Sequence, residues 1–298
     1  MDQSTHATGT APLSLGAEQA RSPFKLACRR FMRHRSAVCC TVVLLFIVSA
    51  CLFGPFLLPY DYDATDWDSL SLPPGLLNGH FMGTDELGRD LLVRTLVGAR
   101  VSFLVGALGA VASTLIGVAW GTTAGYMGGR IDGVMMRMVD MLYAIPYLLI
   151  AILIITLLGR DFYLVVLTIT AFSWMDMARV VRGQTLTLRT RELVDAARAM
   201  GEPSHRIIMQ HIVPNLMGVV VVYAAVIVPG VMLTESVLSF LGLGVQEPMT
   251  SLGVLVHDGA AVMENMPWLL LVPGLLLCVT LLCTNFIGDG LRDAFDPK

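Results

Sequence analysis

Charge is scarce in this sequence. Of its 298 residues, 14% are Asp, Glu, Lys or Arg and 55% are apolar, whereas a soluble domain carries about 25% charged residues. So little polar surface excludes a water-soluble globular chain and implies a protein that crosses a membrane several times. The six cysteines, Cys28, Cys39, Cys40, Cys51, Cys278 and Cys283, contain no C-x-x-C pair. All but Cys28 lie in apolar runs, where they serve as small packing residues rather than a disulfide framework. The six histidines have no metal-ligand spacing. There is no Gly-Lys-Ser/Thr phosphate loop, no H-E-x-x-H and no G-x-S-x-G. The chain therefore carries no sign of binding ATP itself, of a metal or other cofactor, or of hydrolytic chemistry, and nothing in it points to nucleic acid.

Long apolar runs are what it has in abundance. A spanning helix needs about 20 apolar residues at 1.5 Å each. Residues 37–58, 101–126, 141–159, 213–234 and 268–287 contain no charge and approach or exceed that length. A sixth run, 162–178, is shorter and has Asp176 near its end. The runs are continuous rather than alternating, which predicts an all-α bundle of six transmembrane helices and not a barrel. Gly117, Gly121 and Gly125 recur every four residues, so one helix face lets another backbone approach closely. Placing Lys and Arg on alternate sides puts sixteen on the side of both termini and four on the other, which predicts cytoplasmic ends. Val48-Ser49-Ala50-Cys51 resembles a lipoprotein cleavage box, but the apolar run continues past it, which favours an uncleaved first helix. The expected organisation is a disordered tail (1–20), an N-terminal segment with the first span and an outer loop (21–100), and a five-span core (101–298).

Three connecting segments carry functional signals. In the outer loop, Asp61, Asp63, Asp66 and Asp68 are spaced like the start of a calcium loop, but the Gly and the closing Glu are missing, so they read as a solvated acidic stretch. Farther on, Gly83-Thr84-Asp85-Glu86-Leu87-Gly88-Arg89-Asp90 suggests a fixed turn with internal ion pairs. The cytoplasmic loop 179–213 predicts two short amphipathic helices. The first puts Leu193, Ala196, Ala197 and Met200 on one face. Gly201 suits the left-handed position after its end, Pro203 cannot continue it, and Ser204 can cap the second helix. The pair either lies on lipid headgroups or presents a small-residue patch to a soluble partner. The third segment, 237–245, is apolar but too short to span and reads as re-entrant. Glu235 at its border is either a rim group or part of a substrate path, together with Ser239 and Phe240 at the outer mouth and Asp176.

These residues resemble a family. Asp195-Ala196-Ala197, Gly201 four positions later and Pro214 thirteen beyond that match the spacing of the Glu-Ala-Ala loop of ABC importer permeases, with Asp195 for the usual Glu and His211 and Val213 for the common Ile and Leu. The 83–90 turn, Leu238-Ser239-Phe240-Leu241-Gly242-Leu243-Gly244 with Gln246-Glu247-Pro248, and the end from Asn285 to Asp293 with Asp296-Pro297 resemble dipeptide and oligopeptide permeases, most closely their C-type membrane subunit. The resemblance implies a type I importer fold in a bacterial cytoplasmic membrane. It implies a B-type permease partner, two ABC ATPases that hold ATP and magnesium, and an extracytoplasmic peptide-binding protein. It also implies ATPase coupling through Asp195, Ala196, Ala197, Arg198, Gly201, His205 and Pro214. The rival class is an ion-coupled secondary carrier, which usually places ionisable groups or broken helices at mid-membrane; the apolar runs place Asp176 and Glu235 near span ends.

Overall fold

The computed structural model describes residues 23–75 and 79–295; the tail expected to be disordered lies outside them. Among these residues all regular structure is helical apart from an isolated bridge between Thr84 and Asp90. A basic helix α1 (Pro23–Phe31) precedes α2 (Arg35–Leu57), α3 (Leu91–Met127), α4 (Gly129–Ala144), α5 (Tyr147–Leu158) and α6 (Phe162–Leu188). A short pair follows, α7 (Glu192–Ala199) and α8 (Ser204–Ile207), then α9 (Val213–Leu238), α10 (Leu252–Ala261) and α11 (Trp268–Phe295). Five of these helices are long and apolar enough to cross a bilayer, and the bent pair α4–α5 makes a sixth crossing if taken as one span.

Two helices outrun their apolar stretches for the same reason. The sequence reading began the second span at Val101 and ended the fourth near Ala178. The helices instead cover Leu91–Met127 and Phe162–Leu188. Charges ended the apolar runs but not the backbone ladders, because the guanidiniums along these helices meet acidic partners on other segments. Arg94 faces Asp85 at 3.6 Å, Arg179 bonds Asp140 at 2.8 Å, and Arg182 grips Asp132 with Nη2 to Oδ2 at 2.6 Å. Arg100 does a different task. Pro55 inside α2 has no N–H for the carbonyl four residues earlier, and Arg100 donates to that carbonyl, Cys51 O, from Nη2 at 2.8 Å and Nε at 3.2 Å. In hydrocarbon such an orphan carbonyl would cost several kcal/mol, on the order given for unsatisfied groups.

The glycine stripe of α3 is the seam on which the bundle closes. A Cβ at Gly117 would lie 2.6 Å from Met177 Cβ; at Gly121, 2.5 Å from the Ala178 carbonyl; at Gly125, 2.7 Å from Thr185 Cβ. α6 therefore rests directly on the backbone of α3, as the four-residue spacing predicted. Higher on α3, Gly106 and Gly109 admit Met232 and Val231 of α9, and Gly98 admits the start of α10. α2 packs on α3 and α11 around Ile47, Cys51, Ala99 and Leu252, and turns Leu45, Phe46, Phe53 and Phe56 outward, an apolar band suited to lipid.

The expected third span is broken. α4 and α5 meet at 79° across Ile145 and Pro146. Ile145 is extended (φ −87°, ψ 126°), as a residue before proline prefers. At the end of α9, the 237–245 segment does fold back. α9 runs to Leu238, a π-helical turn (Ser239–Leu243) follows with Gly242 at φ +77°, and the chain returns through α10. Sequence reading did not anticipate α10. Its ten residues are too few for a span, and Ser251 caps it by accepting from Val254 N at 3.3 Å.

Candidate coupling loop and translocation face

The 83–90 turn is fixed as its composition predicted. Gly83 and Gly88 have φ of +81° and +75°, values that L side chains strain to adopt. A Cβ at Gly88 would fall 1.9 Å from the Asp66 carbonyl. Asp85 takes Arg89 Nε at 2.7 Å, and Asp90 caps α3 by accepting from Val93 N at 2.9 Å while holding His80 at 2.8 Å. Arg89 also donates to Glu247 at 2.8 Å, which ties this turn to the segment after α9 and holds the Glu247 carboxyl below its ordinary range.

At the opposite end, α6 stops at Leu188. Arg189 Nη1 donates to the carbonyls of Gly125 and Tyr126, which are orphans of the α3 C-terminus. α7 then carries Glu192 and Asp195 in its first turn and Arg198 in its last, which suits the helix dipole. It ends as predicted: Gly201 takes φ +82°, its N–H bonds Arg198 O at 3.0 Å, and Glu202 N–H bonds Ala197 O at 3.1 Å. That pair of bonds is the Schellman closure. Glu202 meets His211 Nε2 at 3.1 Å, bracing the two arms of the loop.

Two expectations about this loop are corrected. Ser204 does not cap a regular second helix. α8 begins at Ser204, with Pro203 before it, and passes through a π-helical turn (Ile208–Ile212) straight into α9. The single face expected for Leu193, Ala196, Ala197 and Met200 is split. Ala197 (1% exposed) points inward with Val194, and both join Tyr126, Met177, Val181, Ile207, Ile212 and Leu216 in one core. Leu193, Ala196 and Met200 face outward, as do Asp195, Arg198, His205 and Pro214. An apolar stripe at i, i+3 and i+7 is thus presented on a helix whose other face is rooted under α3, α6 and α9. Arg198 lies over the Tyr126 ring, 4.9 Å from its centroid.

The four substrate-path candidates separate. Glu235 and Ser239 are each 1% exposed and sit inside the bundle. Ser102 Oγ donates to Glu235 Oε2 at 3.1 Å and Ser239 Oγ to Oε1 at 2.7 Å. Leu252 N donates to Ser102 Oγ at 3.2 Å, so this serine box joins α3, α9 and the start of α10. The sequence placed Glu235 and Ser239 at an open mouth; burial by α10, the helix it did not anticipate, closes them off. Phe240 is exposed beside His257, whose Nδ1 donates to its carbonyl at 2.6 Å. Asp176 is exposed, and because α6 continues to Leu188 it lies in mid-span rather than near an end.

Asp176 lines two adjoining clefts of 360 and 500 Å³ that share Ser173 and Thr234. The first is bordered by the α4–α5 break at Ile145 and Pro146, the second by Tyr223 and Gly230 of α9. Tyr143 donates its hydroxyl to Asp176, and the Arg179 guanidinium stacks 4.1 Å from the Tyr143 ring centroid. An acid in the middle of a long apolar helix and a broken helix pair, features expected of the rival carrier class, therefore meet at one place.

Comparison with known proteins fixes the family. The description "binding-protein-dependent transport system inner membrane component" matches residues 117–298, and "N-terminal TM domain of oligopeptide transport permease C" matches residues 22–74. The chain is similar to the oligopeptide transport system permease protein OppC of Haemophilus influenzae, with 50% identity over 94% of this chain and 90% of that protein. The Escherichia coli K12 protein of the same name is 49% identical over 94% and 93%, and that of Bacillus subtilis 40% over 95% and 92%. Among solved structures, the inward-facing MetNI methionine ABC transporter matches in fold, with a TM-score of 0.57 and 17% identity over 70% of this chain and 97% of that one. The loop and outer-turn motifs had pointed to the same group. With half its residues shared over nearly its whole length, this multi-pass membrane chain belongs to the binding-protein-dependent inner-membrane permeases, in their oligopeptide permease C branch.

Proposed function

We propose that this chain forms half of the translocation path of an ATP-driven oligopeptide or dipeptide importer. A B-type permease supplies the other half, two cytoplasmic ATPases hold the ATP and magnesium, and an extracytoplasmic binding protein delivers the peptide. The observation that carries this reading is the two-faced α7. Its inner residues, Val194 and Ala197, share one core with α3, α6 and α9, and its outer stripe of Leu193, Ala196 and Met200 is free to enter a partner's groove. A push on such a helix is transmitted to the spans, because packed cores switch between discrete arrangements rather than deform continuously. ATP shifts the balance of inward- and outward-facing states through its different affinity for the ATPase pair in each. The orientation follows the sixteen-to-four division of Lys and Arg, with both ends and α7 in the cytoplasm.

The mid-span Asp176 and the broken α4–α5 pair favour one second reading, an ion-coupled carrier working alone. Reconstitution in proteoliposomes separates the two. The importer reading expects uptake of a labelled tripeptide only when this chain, its partner permease, the ATPases, the binding protein and ATP are all present. Uptake by this chain alone, driven by a proton or sodium gradient, would overturn it.

A further inference from the structure

We propose that Asp176 is the subsite for the α-ammonium group of the travelling peptide, an inference that rests on the importer reading above. Asp176 stands at the midpoint of the 27-residue α6 and is exposed. A carboxylate at that depth does not face lipid; it faces a partner or a water-filled path. Its neighbours on this face are already matched, Asp140 with Arg179 and Asp132 with Arg182. Among the described residues no Lys, Arg or His lies within ion-pair distance of Asp176. The Tyr143 hydroxyl satisfies one of the roughly four lone-pair sites a carboxylate offers.

A second observation meets the first at the same cleft. The α4–α5 span breaks at Ile145 and Pro146, and both residues line the space beside Asp176. Broken backbone at membrane depth is tolerated where protein covers it or where it borders a cavity, and transporters place substrate groups at such breaks. The clefts, at 360 and 500 Å³, fall within the range of small-ligand sites. Tyr147, Phe172 and Tyr223 supply apolar wall, and Ser173 and Thr234 supply hydroxyls.

The chemistry selects the ligand. One carboxylate, one phenol and two hydroxyls offer five oxygens, short of the six or more a calcium ion takes. A guanidinium or a lysine ammonium occurs only in some peptides. The α-ammonium occurs in every unmodified peptide, carries three donors and fits a single acceptor carboxylate. One such contact orients a peptide without trapping it, as conduction through a path requires.

The test uses the complete reconstituted complex and two probes, Ala-Ala-Ala and its N-acetylated form, each presented on the binding protein at saturation. The substitutions lie in this chain, so the binding protein's own preference cancels when variants are compared. Asp176→Asn should lower the uptake of free-amine tripeptide relative to the acetylated one by about tenfold, the order of one charge-assisted hydrogen bond. Asp176→Glu should keep the free-amine preference, and Asp176→Lys should lower it further than Asn. Equal slowing of both probes, or no slowing of either, would overturn the proposal. So would loss of the partner permease on purification of Asp176→Asn, which would assign the carboxylate to a cation of that subunit. If the unsubstituted complex transports neither probe, the importer reading falls instead.

Discussion

Glu235 and Asp176 are both acids inside membrane helices, yet the fold treats them in opposite ways. Glu235 is sealed among serines of α3, α9 and the turn after it, with both carboxyl oxygens accepting hydroxyl bonds from this chain. Asp176 opens on a cleft, accepts from one phenol and, among the described residues, has no cation within ion-pair distance. The difference teaches how to separate structural from functional acids in a membrane protein. Where the chain supplies the donors, the group holds elements together; where it does not, the partner of the group comes from elsewhere. The same division runs through the rest of the bundle, between an interior closed on the glycines of α3 and a face left open between α6 and α9.

Substitutions can break this comparison. The largest effect is expected at Gly121, where a side chain would enter the backbone of α6, 2.5 Å from the Ala178 carbonyl. Gly121→Leu should cost at least the roughly 3 kcal/mol of a badly overpacked core and leave little folded protein in the membrane. Normal levels and normal thermal unfolding in detergent would show that α3 and α6 do not close there. Glu235→Ala comes next. It removes the acceptor of two buried hydroxyls and leaves a void, for about 2 kcal/mol. Glu235→Gln keeps an acceptor and should cost about half as much. Both losses should appear in the unfolding temperature of the isolated chain. Unchanged stability with abolished uptake would return Glu235 to the substrate path. The smallest effect is expected at Gly133, on α4 with open space around it. Gly133→Ala should be neutral or stabilise by about 0.5 kcal/mol through helix propensity, measured by the same unfolding assay.

Much of this was legible in the sequence because the signals were local. The four-residue spacing of Gly117, Gly121 and Gly125 foretold the α3–α6 seam, and Gly201 foretold the Schellman closure of α7. The 83–90 turn declared its ion pairs through charges four residues apart. What escaped was set by distant contacts. Arg100 and Arg179 bounded the apolar runs, so two helices were read too short; Arg94, Arg179 and Arg182, which these helices include, find their partners Asp85, Asp140 and Asp132 on other segments. That error also moved Asp176 from mid-span to a helix end. The bend at Pro146 hid inside an uncharged run, since apolar composition does not record direction. α10 was too short to register as a span, and with it went the burial of Glu235 and Ser239. In α7, Ala196 and Ala197 are neighbours in sequence, and only the docking of the helix decides which of them turns inward.

That choice gives the central claim its most direct test. Ala196 faces outward beside Leu193, and Ala197 is buried in the core shared by α3, α6 and α9. The complex carrying Ala196→Arg should be purified through this chain and its ATPase content measured against the unsubstituted complex. If α7 couples transport to ATP, the variant should reach normal levels, retain the partner permease, and lose both the ATPases and peptide uptake. ATPases that stay bound, with uptake at the normal rate, would contradict the account and leave α7 as a helix lying on the membrane surface.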